Sequence, residues 1–254
     1  MTSLTTTPST PDSKQTSMTE RHAMTTYNPN IKEHFERRAD AWIVAIGLQG
    51  VASLTASQDL IRLANQAING NIEYDEIVEN LKALYKLNIS RQPEADVTTA
   101  RMAQEIESDH FRLSAEGLRR LHENIFKDVP NFRHPVGVFQ DTALLAEDDV
   151  PSIDIAFLIA STVDMTDMDK ATQINHIADV TALLWKIQPF EVGTTRTLAV
   201  FMIQYLRRQG FPIAFDVITN DKALLHCFEA AAIGKPELLR KYARALATGE
   251  RFRG

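Results

Sequence analysis

The stretch Trp185-Lys186-Ile187-Gln188-Pro189-Phe190-Glu191-Val192-Gly193-Thr194-Thr195-Arg196-Thr197 joins two segments of different hydrophobic pattern. Before it, Ile174, Ile177, Ala178, Thr181, Leu184 and Trp185 recur at three- and four-residue steps, one face of an amphipathic helix from about Asp169 to Ile187. After it, Leu198-Ala199-Val200-Phe201-Met202-Ile203 is apolar on all sides, the pattern of a helix buried in the middle of a domain. Pro189 disfavours helical geometry at Gln188 and so ends the first helix. Gly193 lets the backbone turn sharply, and Thr194 or Thr195 can cap the second helix. Two helices joined by a tight loop, the second buried on every side, predict an all-α domain built around that second helix.

Arg196 lies in the first turn of the buried helix. A cation there opposes the macrodipole, which is positive at the N-terminus, so an anion is expected beside it. Two readings stand. In one, a phosphate sits against Arg196 and the free N–H groups of the first turn. In the other, a carboxylate of the protein, Glu191 being close in sequence, pairs with Arg196 and fixes the loop.

Working outward, Leu118, Leu121, His122, Ile125 and Phe126 form a clean helical stripe that Ser114 can cap, and another helix opens near Val97. Val136-Gly137-Val138-Phe139 and Ala143-Leu144-Leu145-Ala146 read as the arms of a short β-hairpin. A helix near 152–163 and two more around 223–233 and 236–247 complete this part. Arg207-Arg208 and Arg240-Lys241 read as solvated helix ends. Towards the N-terminus, residues 31–90 hold three short helices. Phe35, Ala39, Trp42, Ile43 and Ile46 mark the first, Leu60, Ile61, Ala64, Ala67 and Ile68 the second, and Ile77, Leu81, Leu84 and Tyr85 the third. So small a group buries little core alone and is expected to dock on the rest. Residues 1–30, with thirteen Ser or Thr, read as a disordered tail without a secretory signal. The expected domains are therefore 1–30, 31–90 and 91–254.

Composition narrows the function classes. With 27 Lys and Arg against 33 Asp and Glu, the net charge of −6 disfavours non-specific binding of nucleic acid. The single cysteine, Cys227, excludes an intrachain disulfide and a cysteine-rich zinc site, and fits a reducing, cytoplasmic setting. No apolar run approaches the ~20 residues of a membrane span. No metal site is read from the residues: His122 and His176 are read as structural, and Asp164, Asp167 and Asp169 as loop and cap residues. The sequence leaves the oligomeric state open.

The central stretch resembles the signature of Fic-domain proteins, H-P-F-x-[D/E]-G-N-[G/T]-R-T, over most of residues 91–235. The resemblance implies a helical domain with a β-hairpin flap, at the place of 136–146, that aligns a target protein. It implies transfer of AMP from ATP, with Mg²⁺, to a hydroxyl of that target. Pro189, Phe190, Gly193, Arg196 and Thr197 match, and the family pattern makes Phe190, Gly193, Thr194, Thr195, Arg196 and Thr197 the nucleotide-binding loop. Gln188 stands at the position of the catalytic His and cannot take up a proton near neutral pH. Val192 stands at the Mg²⁺ carboxylate and cannot ligate a hard cation. Thr194 replaces Asn, and Ala199 lies where many members carry a second Arg.

Residues 33–86 resemble the small helical antitoxin that restrains Fic toxins, fused ahead of the domain. Its inhibitory pattern [S/T]-x-x-x-E-[G/N] falls on Ala45 to Gln49-Gly50, where only Gly50 matches. The family's inhibitory Glu pairs with the second Arg, and here both are uncharged, as Gln49 and Ala199. The reading is a Fic-type adenylyltransferase fold with a degenerate motif. The alternatives are a non-catalytic nucleotide-binding or interaction module, and a different phosphotransfer. General-base catalysis is worth about 10²–10⁴-fold. Gln188→His is therefore expected to recover part of any AMP transfer, and Gln188→His with Val192→Asp more than either alone. Rates of labelling on the four variants check this.

Overall fold

The computed structural model describes residues 29–87, 93–140, 151–219 and 222–252. Among them are ten α-helices and no strand: α1 Pro29–Gly47, α2 Gln58–Ile68, α3 Tyr74–Leu87, α4 Pro93–Glu107, α5 Ala115–Phe126, α6 Ile153–Thr162, α7 Lys170–Ile187, α8 Thr194–Arg208, α9 Lys222–Ala232 and α10 Glu237–Thr248. Short 3-10 turns at Leu48–Ala52 and Phe215–Thr219 follow α1 and precede α9. The protein is all-α. No helix among the described residues is long and apolar enough to cross a membrane.

The capping residues act as their chemistry dictates. Ser57, Ser114, Ser152 and Asp169 each accept a backbone N–H from the first turn of α2, α5, α6 and α7. At α8 the cap differs from expectation. Gly193 occupies the N-cap, in left-handed geometry with no side-chain bond, and both threonines lie inside the helix. The expected hairpin is not formed in its first arm: Val136–Phe139 is irregular, and 143–146 lies outside the described residues. The 1–28 part of the expected tail and the 90/91 boundary also lie outside them, while α1 begins at Pro29.

Helix α8 is buried from Arg196 through Leu206 and packs on α4, α5 and α7. Helix α4 is buried almost as fully and carries α1, α3 and α5 on its sides. On α1 the buried face differs from the expected stripe. Ala41, Trp42, Val44, Ala45 and Leu48 are buried, whereas Phe35 and Ile43 face outward. Phe35 lies ahead of the covered turns, whereas Ile43 lies within them but on the side away from the face that Trp42, Ala45 and Leu48 share. Arg38 is buried there as well, donating to Glu107 of α4 and lying 5.5 Å over the Tyr74 ring. Two cations expected in solvent are also engaged. Arg207 donates to the Ile106 carbonyl, and Arg240 pairs with Asp179 of α7 at 2.7 Å.

Asp96 fastens α2 and α3 to α4. Its carboxylate is buried and accepts the Ser57 N–H at 2.8 Å, the Ser57 hydroxyl, and the Tyr85 hydroxyl at 2.5 Å. Replacing Asp96 by Ala strands these donors in the interior, and each stranded buried group costs about 1–3 kcal/mol. The expected loss is about 2–4 kcal/mol of unfolding free energy. Urea denaturation of the Asp96→Ala chain checks it.

Candidate functional site

The loop between α7 and α8 is held by its own backbone and by three neighbours. Gln188 closes α7 in left-handed geometry (φ 49°), and its side-chain amide donates to the Trp185 carbonyl at 2.7 Å. That amide works as a C-terminal cap and is folded back on the helix. Gln140 crosses the loop, donating its backbone N–H to the Pro189 carbonyl at 3.0 Å and its side-chain amide to the Gln188 carbonyl at 2.5 Å. The Thr194 hydroxyl returns to the loop, donating to the Phe190 carbonyl at 3.1 Å. Thr195 accepts the Trp185 indole N–H at 3.2 Å, and Thr197 is fully buried.

His122 supports the loop from below. Its ring stacks on buried Phe190 with centroids 3.9 Å apart. The Gly137 N–H donates to Nδ1 at 3.0 Å, which fixes the other tautomer, so Nε2–H donates to the Val192 carbonyl at 2.9 Å. Burial, aided by the nearby Arg196 charge, pulls the imidazole down to about 4, so it is neutral near pH 7. Gly193 has φ +87°, and a Cβ on it would meet the Phe126 ring at 2.3 Å. Its lack of a side chain serves this close packing on Phe126.

Arg196 is 3% exposed and points inward. Its guanidinium donates to Glu94 Oε1 at 2.5 Å and, at 3.3 Å each, to Gln49 Oε1 and Thr98 Oγ1. It also lies 4.9 Å over the Phe126 ring. Gln49, itself fully buried, donates at 2.9 Å to Thr98 and to Thr99. Burial draws the guanidinium below its usual range while the Glu94 carboxylate acts against that; it stays charged. Of the two readings for Arg196, this geometry is the protein carboxylate, and the residue is Glu94, not Glu191. Glu191 faces solvent and pairs with His134 Nδ1 at 3.0 Å.

The structure thus brings Gln49 and Arg196 together, sets Gly50 in the turn beside them, and buries Ala199. Glu94, Thr98, His134 and Gln140 belong to the same neighbourhood and were not singled out from the sequence. The cleft along the loop measures about 200 Å³, and Val51 and Ala52 of the 3-10 turn form one wall.

Residues 112–206 match the model of the Fic/DOC family. It is this central part of the chain that is similar to the Fic domain. No curated protein and no solved structure matches the chain. The matched part of the Fic domain includes the loop, Arg196, His122 and Phe126. Glu94, Thr98 and Gln49, which occupy the arginine, all lie before it.

The His122 geometry has a pH signature. An unfolded imidazole titrates near 6.5 and the folded one near 4, so between these values the unfolded chain binds the extra proton. Stability is therefore full above about pH 6.5 and falls as pH drops towards 4, by on the order of 3 kcal/mol from this group. Urea unfolding from pH 7 to 4 checks this. The His122→Asn chain should be less stable at pH 7 and show a shallower slope; an equal slope contradicts it.

Proposed function

We propose that this Fic domain does not transfer AMP, and that it acts as a non-catalytic interaction module whose nucleotide loop is closed by its own N-terminal helices. The observation that carries the reading is the occupation of Arg196 by Glu94, Gln49 and Thr98. ATP and Mg²⁺, the cofactors implied by the family resemblance, do not fit the residues present. The arginine that would meet phosphate is spent internally. Val192 offers a hydrocarbon where a metal carboxylate belongs, and its carbonyl already accepts from His122. The cleft of about 200 Å³ is below the roughly 300–1,000 Å³ of small-molecule sites. Gln188 is turned onto the Trp185 carbonyl, so it neither accepts a proton nor faces an incoming hydroxyl.

The chain's own residues have simple parts in this reading. Glu94 supplies the negative charge that the first turn of α8 and Arg196 require, and Gln49 and Thr98 both accept from Nη1 of the guanidinium. The 3-10 turn that follows α1 carries Gln49 and walls the cleft with Val51 and Ala52, while α4 brings Glu94 and Thr98 to Arg196. A single buried thiol, Cys227, supports a reducing, cytoplasmic setting. A second reading rests on one observation, the solvent-facing imidazole of His134 beside Glu191 at 3.0 Å. A paired imidazole of this kind is a general-base candidate. If turnover of any phosphate ester is measured, His134→Asn should abolish it.

The test is calorimetric titration with ATP, with and without Mg²⁺, together with labelling from radioactive ATP. The parent chain should neither bind ATP measurably nor label itself or a lysate. Gln188→His with Val192→Asp, expected from the sequence alone to recover transfer, should on this reading remain silent until Glu94→Ala is added, because Arg196 is held by Glu94. The triple variant should then exceed the parent in labelling by about 10²-fold or more. Tight ATP binding by the parent, or labelling indifferent to Glu94, contradicts the proposal.

A further inference from the structure

Helix α6 is apolar on both sides and covered on one. From Ile153 through Ala160 every residue except Asp154 is apolar. Ala156, Phe157 and Ala160 are buried where α6 packs on α5 and α7, and the Phe157 ring meets that of Phe201 edge-on, centroids 6.1 Å apart. The opposite face carries Ile155, Leu158 and Ile159, which are 49%, 62% and 49% exposed. At three- and four-residue steps these three and Thr162 form one continuous ridge. Exposed apolar side chains scattered singly are ordinary, but a ridge on a helix that is apolar all round is the pattern of a helix covered on both sides.

The ridge is bordered by charge of one sign. Residues 135–169 hold eight Asp or Glu and no Lys, Arg or His. Asp154, Asp164 and Asp167 are exposed, on the helix and in the turn that follows it, and none forms an ion pair with a described residue. Asp154 lies one i, i+4 step from Leu158, at the edge of the ridge. This border disfavours a second copy of the chain as the cover. An antiparallel pair of α6 helices sets Asp154 of one against the Asp164 end of the other, and a parallel pair sets Asp154 on Asp154. Like charges opposed across an interface are costly.

We propose that the outer face of α6 docks a basic amphipathic helix of another protein, its apolar residues on Ile155, Leu158 and Ile159 and its lysines or arginines against Asp154, Asp164 and Asp167. A ridge with three- and four-residue steps fits the grooves of a second helix. The cations answer a border that the chain itself leaves unpaired. The buried side of α6 fixes the ridge to the core, so the face is presented without rearrangement. Nothing in this assignment depends on whether the motif loop is open or closed.

The experiment uses the full chain and labelled peptides of about five helical turns. One has leucines on one helical face and lysines elsewhere, one has the same residues scrambled, and one has glutamates in place of the lysines. By fluorescence anisotropy the first should bind at least about tenfold more tightly than the scrambled peptide, and the glutamate peptide should not bind. Leu158→Ser with Ile159→Ser, at exposed positions, should bring binding down to the scrambled level with the melting temperature unchanged. Asp154→Asn with Asp167→Asn should weaken it about threefold to tenfold and flatten its salt dependence. The proposal is overturned if the parent does not bind the first peptide up to about 1 mM, or binds the scrambled one as well. It is also overturned if binding survives the serine substitutions or is indifferent to the aspartates. Sedimentation showing a dimer that the serine substitutions dissociate would give the face to a second copy. Binding gained only on Leu144→Ser with Leu145→Ser would give it to the chain's own 141–150. Uptake of the parent, but not of the serine variant, by phosphatidylcholine vesicles would give it to a lipid surface. Each of these three outcomes contradicts the assignment.

Discussion

A charged guanidinium held in the interior at a helix N-terminus must have an anion beside it, and Arg196 sets this demand at the centre of the molecule. The macrodipole of α8 is unfavourable to a cation in its first turn, and the interior adds the cost of desolvation. Glu94 answers both. It sits in the first turn of α4, where a carboxylate is favoured, so one side chain neutralises two helix ends and the guanidinium. That requirement aligns the N-termini of α4 and α8. Helix α1, packed along α4, then brings its terminal turn and Gln49 against the same group.

The residues that match the Fic signature have taken structural work. Gly193 lets Phe126 approach, and Phe126 in turn lies under Arg196 and stacks with His122. Phe190 covers the His122 ring, whose two nitrogens tie Gly137 to Val192. Gln188, which the sequence resemblance sets opposite the family's His, caps α7. A loop held at so many points has its backbone course set by the protein's own contacts.

How much of this could be read in the sequence follows the range of the interactions. The stripes of α5, α7 and α8 and the caps Ser57, Ser114 and Asp169 are local, because periodicity and capping are settled within a few residues, and all are observed. The dipole argument at Arg196 showed that an anion was required, and the required charge is there. Its identity was hidden, because Glu94 lies 102 positions away and only tertiary packing brings it near. Gln140 escaped notice for the same reason: its 136–139 approach looked like a strand by composition, yet it pairs with the motif loop and forms no hairpin arm. Phe35 and Ile43 were misread because the buried face of α1, through Ala41, Trp42, Val44, Ala45 and Leu48, is set in both length and direction by the neighbours that cover it, which periodicity alone does not show. His134 beside Glu191 joins two loops, and loops carry no period.

The claim that Arg196 is an internal structural charge is tested most directly by a double-mutant cycle on unfolding free energy, with Glu94→Gln, Arg196→Met and their combination. A direct pair predicts a coupling of about 1–3 kcal/mol, the double variant being more stable than the sum of the singles implies. Losses that add to within about 0.3–0.5 kcal/mol would mean that the two side chains do not meet, and that Arg196 is free for another partner.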